Sequence, residues 1–256
     1  MLSVELKLRQ NKNADPYKTV TTHIRPITSE KDALAVYRVD KAVYEGMTEE
    51  QRRFIGGPKN CSYFEKSLDN PDVITFGAFD DGRAYGVSAV NFDVEKALIS
   101  AETVQDHFKT SSALLEGTRV LPQARGNSLQ KEFTKARLDI VSRKGCKYAL
   151  TQVVPDNTSS ILNMCDAGFL VVRGTAHEDH GLIMTFAKPM IDEFNFNGRR
   201  QYVPQSELTP ELIDELTSQG HVCTGLGATP HNVVNDNNEP HFVFQSLQSD
   251  EVKAEL

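Results

Sequence analysis

Tryptophan is absent from this sequence and cysteine is scarce, limited to Cys61, Cys146, Cys165 and Cys223. No two of them stand about two to four residues apart, as zinc ligands do, so no metal centre is expected. Four scattered cysteines also argue against a disulfide-stapled secreted domain, and they read as buried or free thiols. An excess of positive charge is missing too. Lys+Arg number 28 against 35 Asp+Glu, a net charge of -7, which excludes broad nucleic-acid binding through a basic face. No stretch approaches the roughly 18 consecutive apolar residues of a membrane span, and mean hydropathy is -0.40. Met1 to Asp15 lacks the apolar core of a secretory signal, so the cytosol is the expected compartment. What remains is an ordinary globular composition, 39% hydrophobic and 25% charged, on a chain of 256 residues able to bury a sizeable core.

Residues 1–20 read as a polar leader. A strand is expected over Thr21–Ile27, then a helix capped by Thr28 or Ser29, with Ala33, Val36, Val39, Val43 and Tyr44 at helical spacing and Gly46 at its end. Thr48–Phe54 reads as a short polar helix closed by Gly56-Gly57-Pro58. Val73–Phe79 and Ala84–Phe92 are β runs joined by Asp80-Asp81-Gly82, a hairpin signal. Residues 93–112 read as an insertion. A strand is expected over Ala113–Val120, and a helix follows the polar turn 123–128, with Leu129, Phe133, Ala136 and Ile140 on one face. Tyr148–Val154 reads as a strand and Asn157–Asp166 as a helix burying Ile161, Leu162 and Cys165, with Gly168 beyond it. Phe169–Val172 and Leu182–Phe186 are strands around a loop holding His177 and His180. Beyond Pro189 the texture changes: a loop at Asn195, Asn197 and Gly198, a helix Pro210–Gln219 capped by Thr209, an Asn-rich loop, and a last strand His241–Leu247. The fold class is α/β (α+β). The expected division is a leader 1–20, a main domain 21–188, and an extension or small second unit 189–256.

The strongest local feature is strand, Gln123-Ala124-Arg125-Gly126-Asn127-Ser128, helix. A helix N-terminus offers unpaired N–H groups and partial positive charge, and a short glycine turn lets several amides converge on a phosphate. Arg125 adds planar donors. The plain alternative is an ordinary turn before a solvated helix.

A second segment decides between them. Pro155-Asp156-Asn157, then Ser160, then Gly168-Phe169 eleven residues after the Asn, follows in order. Together the two segments resemble the GNAT superfamily of N-acetyltransferases, whose phosphate loop reads Gln/Arg-x-x-Gly-x-Gly/Ala and whose next half reads Pro-x-Asn-x-x-Ala/Ser…Gly-Phe. The resemblance covers about residues 20–188. It departs at Ser128, which replaces a Gly/Ala, and at Met164, which stands where the family usually has the Tyr that protonates the departing thiolate. Cys165, Tyr63 or solvent are the substitutes.

The resemblance implies a mixed central sheet whose splayed parallel strands are flanked by helices, and acetyl-CoA as co-substrate with no metal. It places Arg125, Gly126, Asn127 and Ser128 on the pyrophosphate, with Gln123, Asn157 and Ser160 also at the coenzyme. Val120 and Leu121, with the backbone at Arg119, are placed on the pantetheine arm and thioester carbonyl. The acceptor amine then attacks directly. Glu116 is the candidate base; strand alternation sets Leu114, Glu116, Thr118 and Val120 on one face, where a carboxylate among apolar neighbours is partly desolvated. His177 and His180 are the second choice, since His titrates near neutrality.

A closer likeness lies in Glu116-Gly117-Thr118-Arg119-Val120-Leu121-Pro122 with Arg125-Gly126, and in Tyr44-Glu45-Gly46. These resemble the histidine N-acetyltransferase (probable N-acetyltransferase 16) group, which acetylates the α-amino group of free histidine. That implies a cation for the substrate carboxylate, Arg119 first, then Arg52, Arg53 or Arg173; the plain alternative for Arg119 is an ordinary salt bridge. Glu45, Tyr44 and Tyr63 are the candidates for the imidazole. The partner expected is a small-molecule amine, with no nucleic acid and no membrane, on a chain that forms a homodimer in one variant of this reading. The alternatives are acetylation of a protein lysine or N-terminus, and a catalytically weak coenzyme-binding module.

Overall fold

The computed structural model describes residues 2–9, 17–53, 58–101, 104, 109–190, 196–227 and 240–247. They divide into two compact units, Met1–Ala97 with Ser112–Cys146, and Leu98–Ser111 with Lys147–Leu256.

In the first unit, apolar residues alternate with polar ones at Val4, Leu6 and Leu8 against Ser3, Glu5 and Lys7. That period of two makes a strand, β1 (Leu2–Arg9), antiparallel to β2 (Tyr17–Pro26) with Leu6 opposite Val20. Leu6 is fully buried, so the stretch read as a polar leader is part of the sheet. The net polarity of the segment concealed a half-buried alternation. Helix α1 (Glu30–Glu45) is capped by the Ser29 side chain on the Asp32 amide and buries Ala33, Val36, Val39 and Val43. A reciprocal capping box, Thr48 with Gln51, opens α2 (Glu49–Arg53). Helix α3 (Cys61–Lys66), which pattern reading missed because it is barely two turns long, is capped by Asn60 and anchored by buried Phe64.

The hairpin of β3 (Val73–Asp80) and β4 (Arg83–Asn91) turns through Asp81 at φ 44° and Gly82 at φ 75°. A short helix, α4 (Val94–Ala97), follows. The strand expected over Ala113–Val120 is broken. It forms β5 (Ser112–Leu115) and β6 (Arg119–Val120), both antiparallel to β4. Leu115 faces Val90 and Arg119 faces Val87, so Glu116-Gly117-Thr118 lies opposite only Ser88-Ala89. That one extra residue is a β-bulge. A 3-10 turn (Pro122–Ala124) leads to α5 (Leu129–Arg143). Its buried stripe is Leu129, Phe133, Arg137 and Val141 rather than the expected one through Ala136 and Ile140. The strand order of this unit is β1-β2-β3-β4-β5, with β6 also on β4.

The second unit holds β7 (Tyr148–Val153), α6 (Thr158–Asp166), β8 (Leu170–His177), β9 (Gly181–Pro189), β10 (Phe196–Pro204), a 3-10 turn (Gln205–Glu207), α7 (Pro210–Ser218), β11 (His221–Gly227) and β12 (His241–Leu247). Its strands run β7-β9-β8-β11-β12-β10, each pair antiparallel. Asn197 and Gly198 lie in β10, not in a loop. On α6 the buried residues are Ile161 and Met164, whereas Leu162 is exposed. Strand β11 pairs with β8 at Cys223 and Val171, and Thr209 caps α7 as its sequence indicates. All four cysteines are free thiols.

Candidate active site

The bulge between β5 and β6 turns Glu116 out of the strand alternation and into a polar cluster. Its Oε2 accepts the Tyr63 hydroxyl at 2.9 Å from α3, and its Oε1 accepts the Asn91 side-chain amide at 3.1 Å from the end of β4. Two hydrogen-bond donors therefore hold the carboxylate, which simple alternation did not anticipate. Burial, then the charge of Glu116, pushes the Tyr63 hydroxyl well above its usual range, so Tyr63 stays protonated and keeps donating. The Glu116 main chain is held as well. Its N–H donates to Ala89 O at 3.0 Å, and its carbonyl accepts Arg137 Nη1 at 2.6 Å. Ser88 bonds the Thr118 hydroxyl at 2.9 Å across the bulge.

Arg119, expected to receive a substrate carboxylate, is instead buried in an ion pair, Nη1 to Asp40 Oδ1 at 2.6 Å. Burial pushes the Asp40 carboxyl up and pulls Arg119 down, each against the partner's opposing charge. The Lys59 amide donates to Asp40 Oδ2 at 2.9 Å. The Lys59 ammonium lies 4.3 Å from the Tyr63 ring centroid, so a solvent-facing cation and the Glu116 carboxylate flank one phenol. Arg52 is engaged by the end of α1: it donates to the carbonyls of Tyr44 and Glu45 at 3.2 and 2.8 Å and lies over the Tyr44 ring. Tyr44 is half-buried and Glu45 exposed. Arg53 belongs to α2, and its side chain lies outside the described residues.

The turn after β6 has the backbone of an anion cradle. Gly126 sits at φ 81° and Ser128 at φ 58°, and Ser128 supplies no side-chain cap to α5. Ser128 thus holds a left-handed position where a Gly is easiest. Arg125 is exposed, its Nε donating to Val120 O at 3.3 Å. Gln123 is half-buried in the 3-10 turn. The Leu121 amide donates to Tyr85 O at 3.0 Å, which spends within the sheet a donor expected at the thioester. Asn127 faces inward to β1. Its Oδ1 accepts the Lys7 N–H at 2.9 Å, and its Nδ2 donates to Lys7 O at 3.2 Å and Ala124 O at 3.0 Å. It is a clasp on the turn rather than a side chain pointing at a ligand.

No protein-family model matches the sequence, and no curated protein matches it. Solved structures match its fold. An N-acetyltransferase from Staphylococcus aureus Mu50 aligns at TM-score 0.51 and 13% identity, over 66% of this chain and 98% of that one. A ribosomal-protein-alanine N-acetyltransferase from Brucella melitensis aligns at 0.51 and 14%, over 66% and 99%. A putative acetyltransferase from Salmonella typhimurium, solved with acetyl-CoA, aligns at 0.51 and 13%, over 70% and 99%. The fold is that of the GNAT N-acetyltransferases. Nearly the whole of each neighbour is matched by about two thirds of this chain, so the remainder is an addition to the GNAT fold.

The other expected site residues of this GNAT-fold chain lie in the second unit. Asn157 caps α6, its Oδ1 accepting the Ser160 N–H at 3.2 Å. Met164 is buried and fills the core, so it offers no proton. The neighbouring Cys165 thiol is pushed up to about 12, first by burial and then by Asp166. His177 Nδ1 accepts the Asp179 N–H at 3.1 Å, and its ring lies 4.5 Å from that of His180 in the β8–β9 turn. Arg173 pairs with Asp214 at 3.0 Å. Among the described residues, no three His, Cys, Asp or Glu gather as metal ligands, and no helix is long and apolar enough to cross a membrane. Sequence reasoning missed Asn91 and Asp40, and counted Arg137 only among the basic residues that follow the turn. The first two look like a strand end and a helix-surface acid, and nothing local marks them.

Proposed function

We propose that this protein is an acetyl-CoA-dependent N-acetyltransferase whose acceptor is the α-amino group of a free amino acid such as histidine. The observation that carries the proposal is Glu116, held at a β-bulge by Tyr63 and Asn91 on a GNAT fold, in the same unit as a glycine turn suited to a pyrophosphate. The likeness of segment 116–122 to the histidine N-acetyltransferase group supports the amino-acid acceptor.

In this reading the neutral acceptor nitrogen attacks the thioester carbonyl carbon, and the carbonyl electrons move onto oxygen. As the tetrahedral adduct collapses, the carbon–sulfur bond breaks and the electron pair leaves with sulfur. Glu116 receives the proton that the amine loses, directly or through one water, and the coenzyme thiolate takes a proton from solvent. Glu116 is the base rather than His177, because two donors aim its carboxylate while His177 spends Nδ1 on its own turn. With Arg119 committed to Asp40, Lys59 takes the role of cation for the acceptor carboxylate.

The test is thiol release from acetyl-CoA, scanned over free amino acids, histidine included, and over polyamines and basic peptides. Release driven by a free amino acid is expected. Glu116→Gln is expected to lower kcat by about 10²-fold with little change in acetyl-CoA affinity, and Lys59→Ala to raise KM for the amino acid but not for a carboxylate-free amine. Gly126→Glu is expected to abolish coenzyme binding in calorimetry. Release with basic peptides alone would replace the amino-acid acceptor with a protein. Coenzyme binding without release from any acceptor would leave only a binding module.

A further inference from the structure

Helix α5 buries Leu129, Phe133, Thr134, Arg137 and Val141, and one of the five is an arginine. Arg137 is 2% exposed. A guanidinium in that position is costly unless its donors and charge are used. Its donors go to Phe133 O at 3.3 Å, Thr134 Oγ1 at 3.1 Å and Glu116 O at 2.6 Å. The first two belong to its own helix and orient the planar fork. The third reaches across to the bulge and is the shortest. All three acceptors are neutral, and the negative group that acts on Arg137 is Glu116 itself.

We propose that Arg137 is a positioning residue for Glu116, pinning its main-chain carbonyl at the bulge and so fixing where its carboxylate stands. This rests on the reading of Glu116 as the base. The groups facing Glu116 are Tyr63 from α3, which donates and stays neutral, and the neutral amide of Asn91 from β4. Lys59 lies on the Tyr63 ring, and Arg119, three residues along, has its charge matched by Asp40. Among the described residues, Arg137 is thus a buried cation whose bonds go to no acid and whose shortest bond holds the Glu116 carbonyl. A bulge needs such a brace, because the extra residue leaves its ladder locally unpaired.

The experiment compares wild type, Arg137→Met and Arg137→Lys in two readouts. The first is the split of kcat from KM with the accepted amine. In Arg137→Met kcat is expected to fall about tenfold, because a displaced base is poorly oriented, while KM for acetyl-CoA stays within about twofold. Arg137→Lys, which can still donate to the carbonyl, is expected to recover part of kcat. A merely structural role would worsen KM along with kcat, so an unchanged kcat, or a loss shared by both KM values, in folded Arg137→Met overturns the proposal. The second readout needs no turnover. Hydrogen exchange over residues 112–121 is expected to quicken about tenfold in Arg137→Met, and unchanged exchange overturns the pinning. If wild type turns over no acceptor, the acetyltransferase reading falls and exchange alone decides the brace. Should Arg137→Met fail to fold, Thr134→Val removes one acceptor that orients the fork. It is expected to lower kcat several-fold at unchanged acetyl-CoA KM and to quicken the same exchange, and wild-type behaviour in both overturns the proposal.

Discussion

Asp32 shows what a single well-placed carboxylate does. It accepts both Arg25 Nη atoms at 2.8 Å and the Thr28 N–H at 3.0 Å. The Arg25 hydrogen bonds lead, and the Asp32 carboxyl falls from 3.8, its ordinary value, to about 2. A group lowered in the folded state stabilises above its unfolded value and loses that contribution as pH falls through the folded one. Stability in urea is therefore expected to drop between about pH 4 and pH 2, and Asp32→Asn to flatten that part of the curve. An equally steep fall in the variant would place the acid sensitivity elsewhere. At this scale the sequence was informative where chemistry follows chain order, as in the Thr209 cap and the cap narrowed to Thr28 or Ser29. It was silent where partners meet through space. Arg119 reads equally as a substrate cation or as half of an ordinary salt bridge until Asp40, on α1, is seen against it. Arg137 was hidden differently: Ala136 and Ile140 satisfy an apolar spacing one residue out of phase, so the charged member of the true stripe passed as surface.

At the scale of elements, one residue separates the expected strand Ala113–Val120 from the observed bulge. Period-two alternation assumes that every residue has one partner, and the count of Glu116-Gly117-Thr118 against Ser88-Ala89 cannot be read from either strand alone. Strand β1 is the opposite case. Its alternation is plain in Val4, Leu6 and Leu8, and only the averaging of composition concealed it. The contact of α7 with β8 rests on Gly174, where a Cβ would lie 2.9 Å from both Pro210 Cα and Ile213 Cδ1. One of those atoms is backbone and cannot swing away. Gly174→Ala is expected to destabilise by about 1–3 kcal/mol, read as a lower urea midpoint, with Thr175→Ala as the neighbouring control. An unchanged midpoint would mean that α7 shifts without cost.

Across the whole chain, the segment 189–256 read as an extension, and its strands prove continuous with those before it: β11 pairs with β8, and Val222, Phe242 and Phe244 are buried. Removing residues 191–256 uncovers the edge of β8 and the apolar face under α7. The truncated chain is expected to be insoluble or to lose its cooperative thermal transition by circular dichroism. A soluble, cooperatively melting 1–190 would show that the earlier strands close on their own. The GNAT fold was legible because two motifs and the order of elements agree with each other. The two-unit division was not, since residues 98–111 are inserted in one unit by sequence and belong to the other by packing.

The clasp between Asn127 and Lys7 joins residues 120 apart. On a ribosome the first strand is made long before the turn it grips, and strands β2 to β6 and helices α1 to α4 of the first unit intervene. A contact so distant in sequence forms after the loops that it closes. The candidate coenzyme cradle is therefore expected to close late in the folding of its unit.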